Sequence, residues 1–264
     1  MKQLIPIFFL ILFISCQKAE QEADSFQAEE PEWQTLFNGK DLTGWIPKIH
    51  HHEVGDNYAN TFRVEDGAIA VNYEGYGDFE DRFGHLFFEK PFSRFHLVWE
   101  YRFTEQFLET APSYTFRNSG VMFHSQAPET ILKEQDWPIS VEYQMLAEEK
   151  EGEARPTGNL CSPGTDVVFQ GKIDERHCIN SSSPTFQWDE WVKAELIVYG
   201  DSIVHHLVNG DTILTYSFPQ IGGGVANRFD PAIKVDGTPL KSGYIGLQSE
   251  GQGVLFKNIQ IREL

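Results

Sequence analysis

Apolar and polar residues alternate with a period of two through much of the chain. Between residues 94 and 103, Phe95, Leu97, Trp99, Tyr101 and Phe103 share one phase, while His96, Val98, Glu100 and Arg102 share the other. That pattern predicts a strand with one buried face. Residues 62–65 and 68–71 flank Asp66-Gly67, a dipeptide suited to a two-residue hairpin turn. Residues 191–199 and 202–208 flank Gly200-Asp201, and Asn209-Gly210 leads into residues 212–216. Residues 243–249 and 253–262 predict a last pair. Val254 and Phe256 take one phase there, Ile259 and Ile261 the other, which predicts a β-bulge near Lys257-Asn258. Helical periodicity is nearly absent. About a dozen strands without helices predict two stacked antiparallel sheets, an all-β, jelly-roll-like sandwich. The polar stretches 47–61 and 72–82 read as loops outside the core, where binding residues usually lie.

The first residues stand apart from this pattern. Behind Lys2, residues 4–14 are apolar, too short a run to span a bilayer, and they end at Ile14-Ser15-Cys16. This resembles a bacterial lipoprotein signal over residues 1–15, cleaved before the cysteine, with Cys16 as the lipidation site. Phe13 stands where such signals usually carry Leu. An ordinary secretion signal with an incidental cysteine is the alternative. Residues 16–32 carry six acids against one Lys18, and read as a flexible tether. Residues 33–264 then form one domain, exported and anchored by lipid at the periplasmic face or the cell surface. The net charge of -18 excludes nucleic acid as a natural partner, because backbone binding needs Lys and Arg. With Cys16 assigned to lipid, Cys161 and Cys178 remain as a disulfide pair pinning a loop rich in Gly, Pro and Ser. One adjacent His177 does not complete a zinc site.

Glu142 and Gln144 lie two apart in an otherwise apolar strand, so both point to one face. An acid there is costly unless it is paired, solvated or used. In residues 118–124, Asn118, Gly120, Met122 and His124 are expected to share a face, with Gly120 leaving room for close approach. His205 and His206 point to opposite faces, so one of them can join a given surface. His50, His51 and His52 suggest either a metal site or an exposed loop, and the exposed loop is the simpler reading. Arg82 and His85 beside aromatic residues could line a sugar groove. No nucleophile elbow, phosphate loop or zinc-protease helix is present. A glycosidase with two carboxylates needs a partner for Glu142. Glu100, Glu195 and Glu250 are available, and their spacing selects none of them.

Residues 37–45 (Phe-Asn-Gly-Lys-Asp-Leu-Thr-Gly-Trp), 118–123, 141–144, 243–250 and 256–261 occur in an order that resembles the 3-keto-disaccharide (3-keto-glycoside) hydrolases. The resemblance covers nearly the whole domain. It implies a concanavalin A-like sandwich with a sugar groove, and a 3-keto-glucoside or 3-keto-disaccharide substrate supplied by a sugar 3-dehydrogenase. The disulfide loop looks like a subgroup feature. Many members carry Arg at the position of His124, which bears on substrate preference.

A C3 ketone acidifies the C2 proton, so a base can remove it and expel the C1 aglycone, after which water adds back. Glu142 and His124 are the expected catalytic pair. Gln144, His206, Arg82, His85, Asn118 and Gln248 are the expected sugar contacts. A divalent metal ion held by His and Glu could stabilise the enolate instead. The alternatives are a non-catalytic carbohydrate-binding lipoprotein on the same fold, or a structural lipoprotein.

Overall fold

Alternating strands bury one face each only if a second layer covers them, and the chain supplies that layer itself. The computed structural model describes residues 31–264. The leader, Cys16 and nearly all of the expected tether lie outside the described residues. In chain order the strands begin β1 (Gln34–Thr35), β2 (Trp45–Ile49), β3 (Phe62–Glu65), β4 (Ala68–Val71), β5 (Gly84–Phe88), β6 (Arg94–Phe107), β7 (Asn118–Ser125) and β8 (Val141–Leu146). They continue with β9 (Asn159–Cys161), β10 (Thr165–Phe169), β11 (Lys172–Asp174), β12 (Cys178–Ile179), β13 (Val192–Tyr199), β14 (Ile203–Val208), β15 (Asp211–Ile221), β16 (Tyr244–Ser249) and β17 (Gln252–Glu263). Helical structure among the described residues is confined to 3-10 turns at Tyr58–Asn60, Ser113–Thr115 and Pro128–Thr130. Among those residues no helix is long and apolar enough to cross a membrane.

The larger sheet runs β11-β10-β15-β14-β13-β6-β17-β4-β3, with β1 added on β17; the smaller runs β12-β9-β8-β7-β16-β5-β2. All pairings are antiparallel, and the fold is a concanavalin A-like jelly-roll β-sandwich. The turn dipeptides behave as their chemistry dictates. Asp66 and Gly67 take φ of 47° and 76°, and Asn209 and Gly210 take 52° and 90°, the left-handed pair that a tight hairpin requires. β17 breaks register on β6 between Lys257 and Gln260, so the expected bulge is present.

The core lies between the sheets. β6 contributes Phe95 through Phe103 at alternate positions, and they meet Val121, Phe123, Val141, Tyr143 and Met145 from the smaller sheet. Trp99 packs edge-on against Tyr143 at 4.9 Å and donates its indole N–H toward the Met145 sulfur. Each such side chain contributes about 1.5–3 kcal/mol by leaving water.

Two expectations about loops need correction. Neither polar stretch lies wholly outside the core: residues 47–49 belong to β2, and Ile49, His50 and Thr61 are buried. In residues 72–82, Tyr73, Tyr76 and Phe79 are buried, with the Tyr73 hydroxyl accepting the Gly251 N–H. The polar residues between these aromatics mask a segment whose rings join the core. The stretch between the cysteines is not simply a loop either, because β10 and β11 within it cross to the larger sheet.

Candidate functional site

β8 turns Val141, Tyr143 and Met145 into the core, so Glu142, Gln144 and Leu146 emerge on the far face of the smaller sheet. There they line a cavity of about 350 Å³ together with Asn118, Arg155, Gln248, Glu250, the Cys161–Cys178 disulfide, Tyr114 and Trp137. Register sets Glu142 opposite Met122 and Cys161, and Gln144 opposite Gly120 and Asn159. The Glu142 side chain lies across Gly120. A Cβ added at Gly120 would fall 2.3 Å from Glu142 Oε1 and 2.8 Å from its Cγ. The glycine is therefore part of the acid's seat.

Glu142 is buried, and burial pushes its carboxyl up to about 8 against a lowering hydrogen bond from Gln248. Glu250 is buried on the same cavity wall. Burial first, and then the charge of Glu142, raise it well above the ordinary carboxyl range, with Arg155 pulling the other way. Two such neighbours cannot both ionise cheaply, so the pair retains a proton at neutral pH. Arg155 is held in place by its Nη1, which donates to the carbonyls of Phe116 at 2.9 Å, Ala147 at 3.1 Å and Arg117 at 3.3 Å. Asn118 Oδ1, Gln248 Oε1 and Glu250 Oε1 are buried with no hydrogen-bond partner in the protein. Three unpaired acceptors around one cavity are satisfied when water or a hydroxyl-bearing ligand fills it. At the rim, Tyr114 is 59% exposed, and Trp137 is braced from behind by Phe83 at 4.6 Å and His85 at 5.8 Å.

Of the residues expected here, Glu142, Gln144, Asn118 and Gln248 come together. Gln144 Oε1 is taken by the Asn159 amide at 3.1 Å, leaving its amide nitrogen for the cavity. His85 pairs in register with Gln248 on one side and Lys48 on the other, but it is 2% exposed and sits behind Trp137. Burial, and then the Lys48 charge, push its imidazole down to about 3, so it stays neutral. Arg82 lies over the Tyr58 ring, paired with Glu80, and does not line the cavity.

His124 does not share the face of Asn118 and Gly120. It takes φ of 47°, and β7 slips register on β16 there. The slip turns its ring into the sandwich, against Phe95 and Phe123, with Nε2 3.1 Å from the Gly200 carbonyl. His206 is likewise absent from the groove. It points from β14 toward the other sheet, stacks on Tyr143 at 4.7 Å and bonds to the Gly158 carbonyl and Tyr216 hydroxyl. The expected disulfide is formed. Nor do the three consecutive histidines make a simply exposed loop, because His50 is buried.

Spacing along the chain does not distinguish Glu250 from Glu100 and Glu195. Glu100 and Glu195 lie on the outer face of the larger sheet, where Lys257 and Lys193 respectively pair with them. Only Glu250 of the three reaches Glu142, and its place in the 243–250 block was the available signal. Arg155, Tyr114 and Trp137 carried no signal, since each arrives on a connecting segment.

The fold and this cavity define a β-sandwich protein with a buried acid pair in an open groove. The chain belongs to the family of 3-keto-alpha-glucoside-1,2-lyase-like domains, whose profile matches residues 32–262. It is similar to the 3-keto-disaccharide hydrolase of Bacteroides thetaiotaomicron, with 25% identity over 272 residues, covering 95% of this chain and 84% of that protein. In fold it is similar to a candidate glycosyl hydrolase from Parabacteroides distasonis, at a TM-score of 0.52 and 16% identity, covering 88% of this chain and all of that one.

Proposed function

We propose that this protein cleaves 3-keto-glucosides, 3-keto-disaccharides among them, by elimination followed by hydration. Glu142 and Glu250 divide the acid and base work. The observation that carries the reading is this pair of buried carboxyls beside three orphaned acceptors in one cavity. Family membership and the name of the Bacteroides relative support the substrate class.

The ionised member of the pair takes the proton from C2, and the C–H electrons form the C2–C3 double bond of an enolate. The enolate then collapses as the C1–O bond breaks, and the protonated member supplies a proton to the leaving oxygen. Water adds its hydroxyl to C1 and a proton to C2, which restores the ketone and completes net hydrolysis. A carboxyl raised to about 8 suits this exchange, since it neither holds nor loses its proton too firmly near neutrality. Arg155 and the Gln144 amide nitrogen are the donors at hand for the enolate oxygen. The ketone acidifies C2 before the enzyme acts, so the reaction needs an upstream sugar 3-dehydrogenase. We further propose that the protein works outside the cytoplasm, tethered through lipid on Cys16, because the leader reads as a lipoprotein signal.

Incubation with a 3-keto-glucoside and with the matching intact glucoside tests the reading. Aglycone should leave only from the keto substrate, and Glu142→Gln or Glu250→Gln should lower kcat by about 10²–10⁴-fold. Binding without turnover would indicate a carbohydrate-binding role instead. Full turnover in both variants would refute the assignment.

A further inference from the structure

Tyr114 and Trp137 form a ridge shared by the groove and a second cavity of about 640 Å³. The far cavity is polar, lined by His50, His51, Asp81, Glu134, Asp136 and Arg228 among others. In it, one ligand atom each from His50, His51 and Glu134 lie within 4.8 Å of one another. His51 Nδ1 is 2.8 Å from Glu134 Oε2. His51 takes φ of 70°, a left-handed conformation uncommon outside glycine, and its N–H is held by the Lys133 carbonyl at 2.9 Å.

His50 carries a further peculiarity. It is 6% exposed, and each ring nitrogen faces a backbone carbonyl: Asp81 O at 2.7 Å from Nδ1, and Glu134 O at 3.2 Å from Nε2. A neutral imidazole has a single N–H. With that proton on Nδ1, at the shorter contact, Nε2 directs a lone pair at a carbonyl oxygen. A cation accepting the Nε2 lone pair resolves this conflict.

We propose that His50, His51 and Glu134 form a binding site for a divalent transition-metal ion. Two imidazoles and one carboxylate suit zinc and its neighbours better than calcium or magnesium, which prefer all-oxygen shells. The His50 and His51 rings are stacked at 3.7 Å, 22° from parallel, so binding turns the more exposed His51 ring to converge on the ion. A second cluster among the described residues, Cys161, His177 and Cys178, is closed to metal because both sulfurs are in the disulfide. An ion at the first cluster ties the segment after β2 to the segment carrying Glu134, three residues before Trp137. It would thereby fix one wall of the groove. This role is a positioning one, and it stands whether or not the proposed reaction is correct.

The test uses the purified, disulfide-intact chain stripped with EDTA, followed by calorimetric titration with Zn²⁺ and elemental analysis after desalting. About one equivalent of Zn²⁺ should remain bound, with no comparable binding of Ca²⁺. His51→Ala and Glu134→Gln should each weaken binding at least about tenfold while circular dichroism stays unchanged, because each removes one ligand. His177→Ala should leave binding intact. Failure of the wild type to bind Zn²⁺, or undiminished binding by both ligand variants, would overturn the proposal.

Discussion

Replacing Gly120 with alanine should disable Glu142 without unfolding the sheet. Gly120 has no positive φ, so alanine fits the backbone. Its Cβ, however, would stand 2.3 Å from Glu142 Oε1, 2.8 Å from Cγ and 2.9 Å from Cδ. A carbon and an oxygen settle near 3.3 Å at closest, so the carboxyl must retreat by about 1 Å. A displacement of that size at a reacting group costs about 100-fold in rate. The stability change is smaller. Alanine in a strand gains about 0.5–1 kcal/mol over glycine, while overpacking costs about 1–3 kcal/mol. The net loss of roughly 0–2.5 kcal/mol lowers Tm by at most about 10 °C for a domain of this size. Steady-state kinetics on a 3-keto-glucoside and a thermal melt together read both effects. The expected result is kcat down about 100-fold with the melt largely preserved. Gly120→Ala added to Glu142→Gln should cost almost nothing more, because both act through one group. A kcat within about threefold of wild type would refute this account of the seat, given the close contact it must relieve.

Other outcomes follow from the same geometry. The Glu142 carboxyl is raised in the fold, so it favours the folded state fully below its ordinary value near 4.5 and loses that contribution as pH rises through about 8. Wild-type Tm should therefore fall from pH 5 to pH 9, and Glu142→Gln should reduce that fall in parallel melts. Reducing the disulfide, which closes a separation of 17 residues, should cost about 3 kcal/mol in denaturant unfolding. It should also weaken substrate binding, since Cys161 is the register neighbour of Glu142. His124→Ala should destabilise by about 1–3 kcal/mol through lost packing, yet keep kcat within about threefold of wild type, because the ring lies inside the sandwich.

The parts of this fold set by local physics could be read along the chain. The two-residue period of β6, the left-handed turn dipeptides and the phase change at Lys257-Asn258 all occur where local pattern alone requires them. Glu142 and Gln144 were legible for the same reason, being two apart on one strand. Alternation misplaces His124, because a single left-handed residue reverses the side-chain phase and nothing in residues 118–124 announces the slip. Alternation cannot place His206, because it gives two faces without saying which one meets the opposite sheet. Glu250 became meaningful only when β16 and β8 were brought to the same sheet around β7. That proximity is tertiary, and so is the burial that perturbs both acids.

The most direct test of the central claim is to run the reaction on a 3-keto-glucoside in D₂O and observe C2 of the released sugar by NMR. A no-enzyme control corrects for spontaneous exchange beside the ketone. Elimination and hydration by the Glu142–Glu250 pair requires deuterium at C2 of the product, formed at the rate of aglycone release and lost with it in Glu142→Gln. Aglycone release with protium retained at C2 would mean that the bond breaks by direct displacement at C1, and would contradict the account.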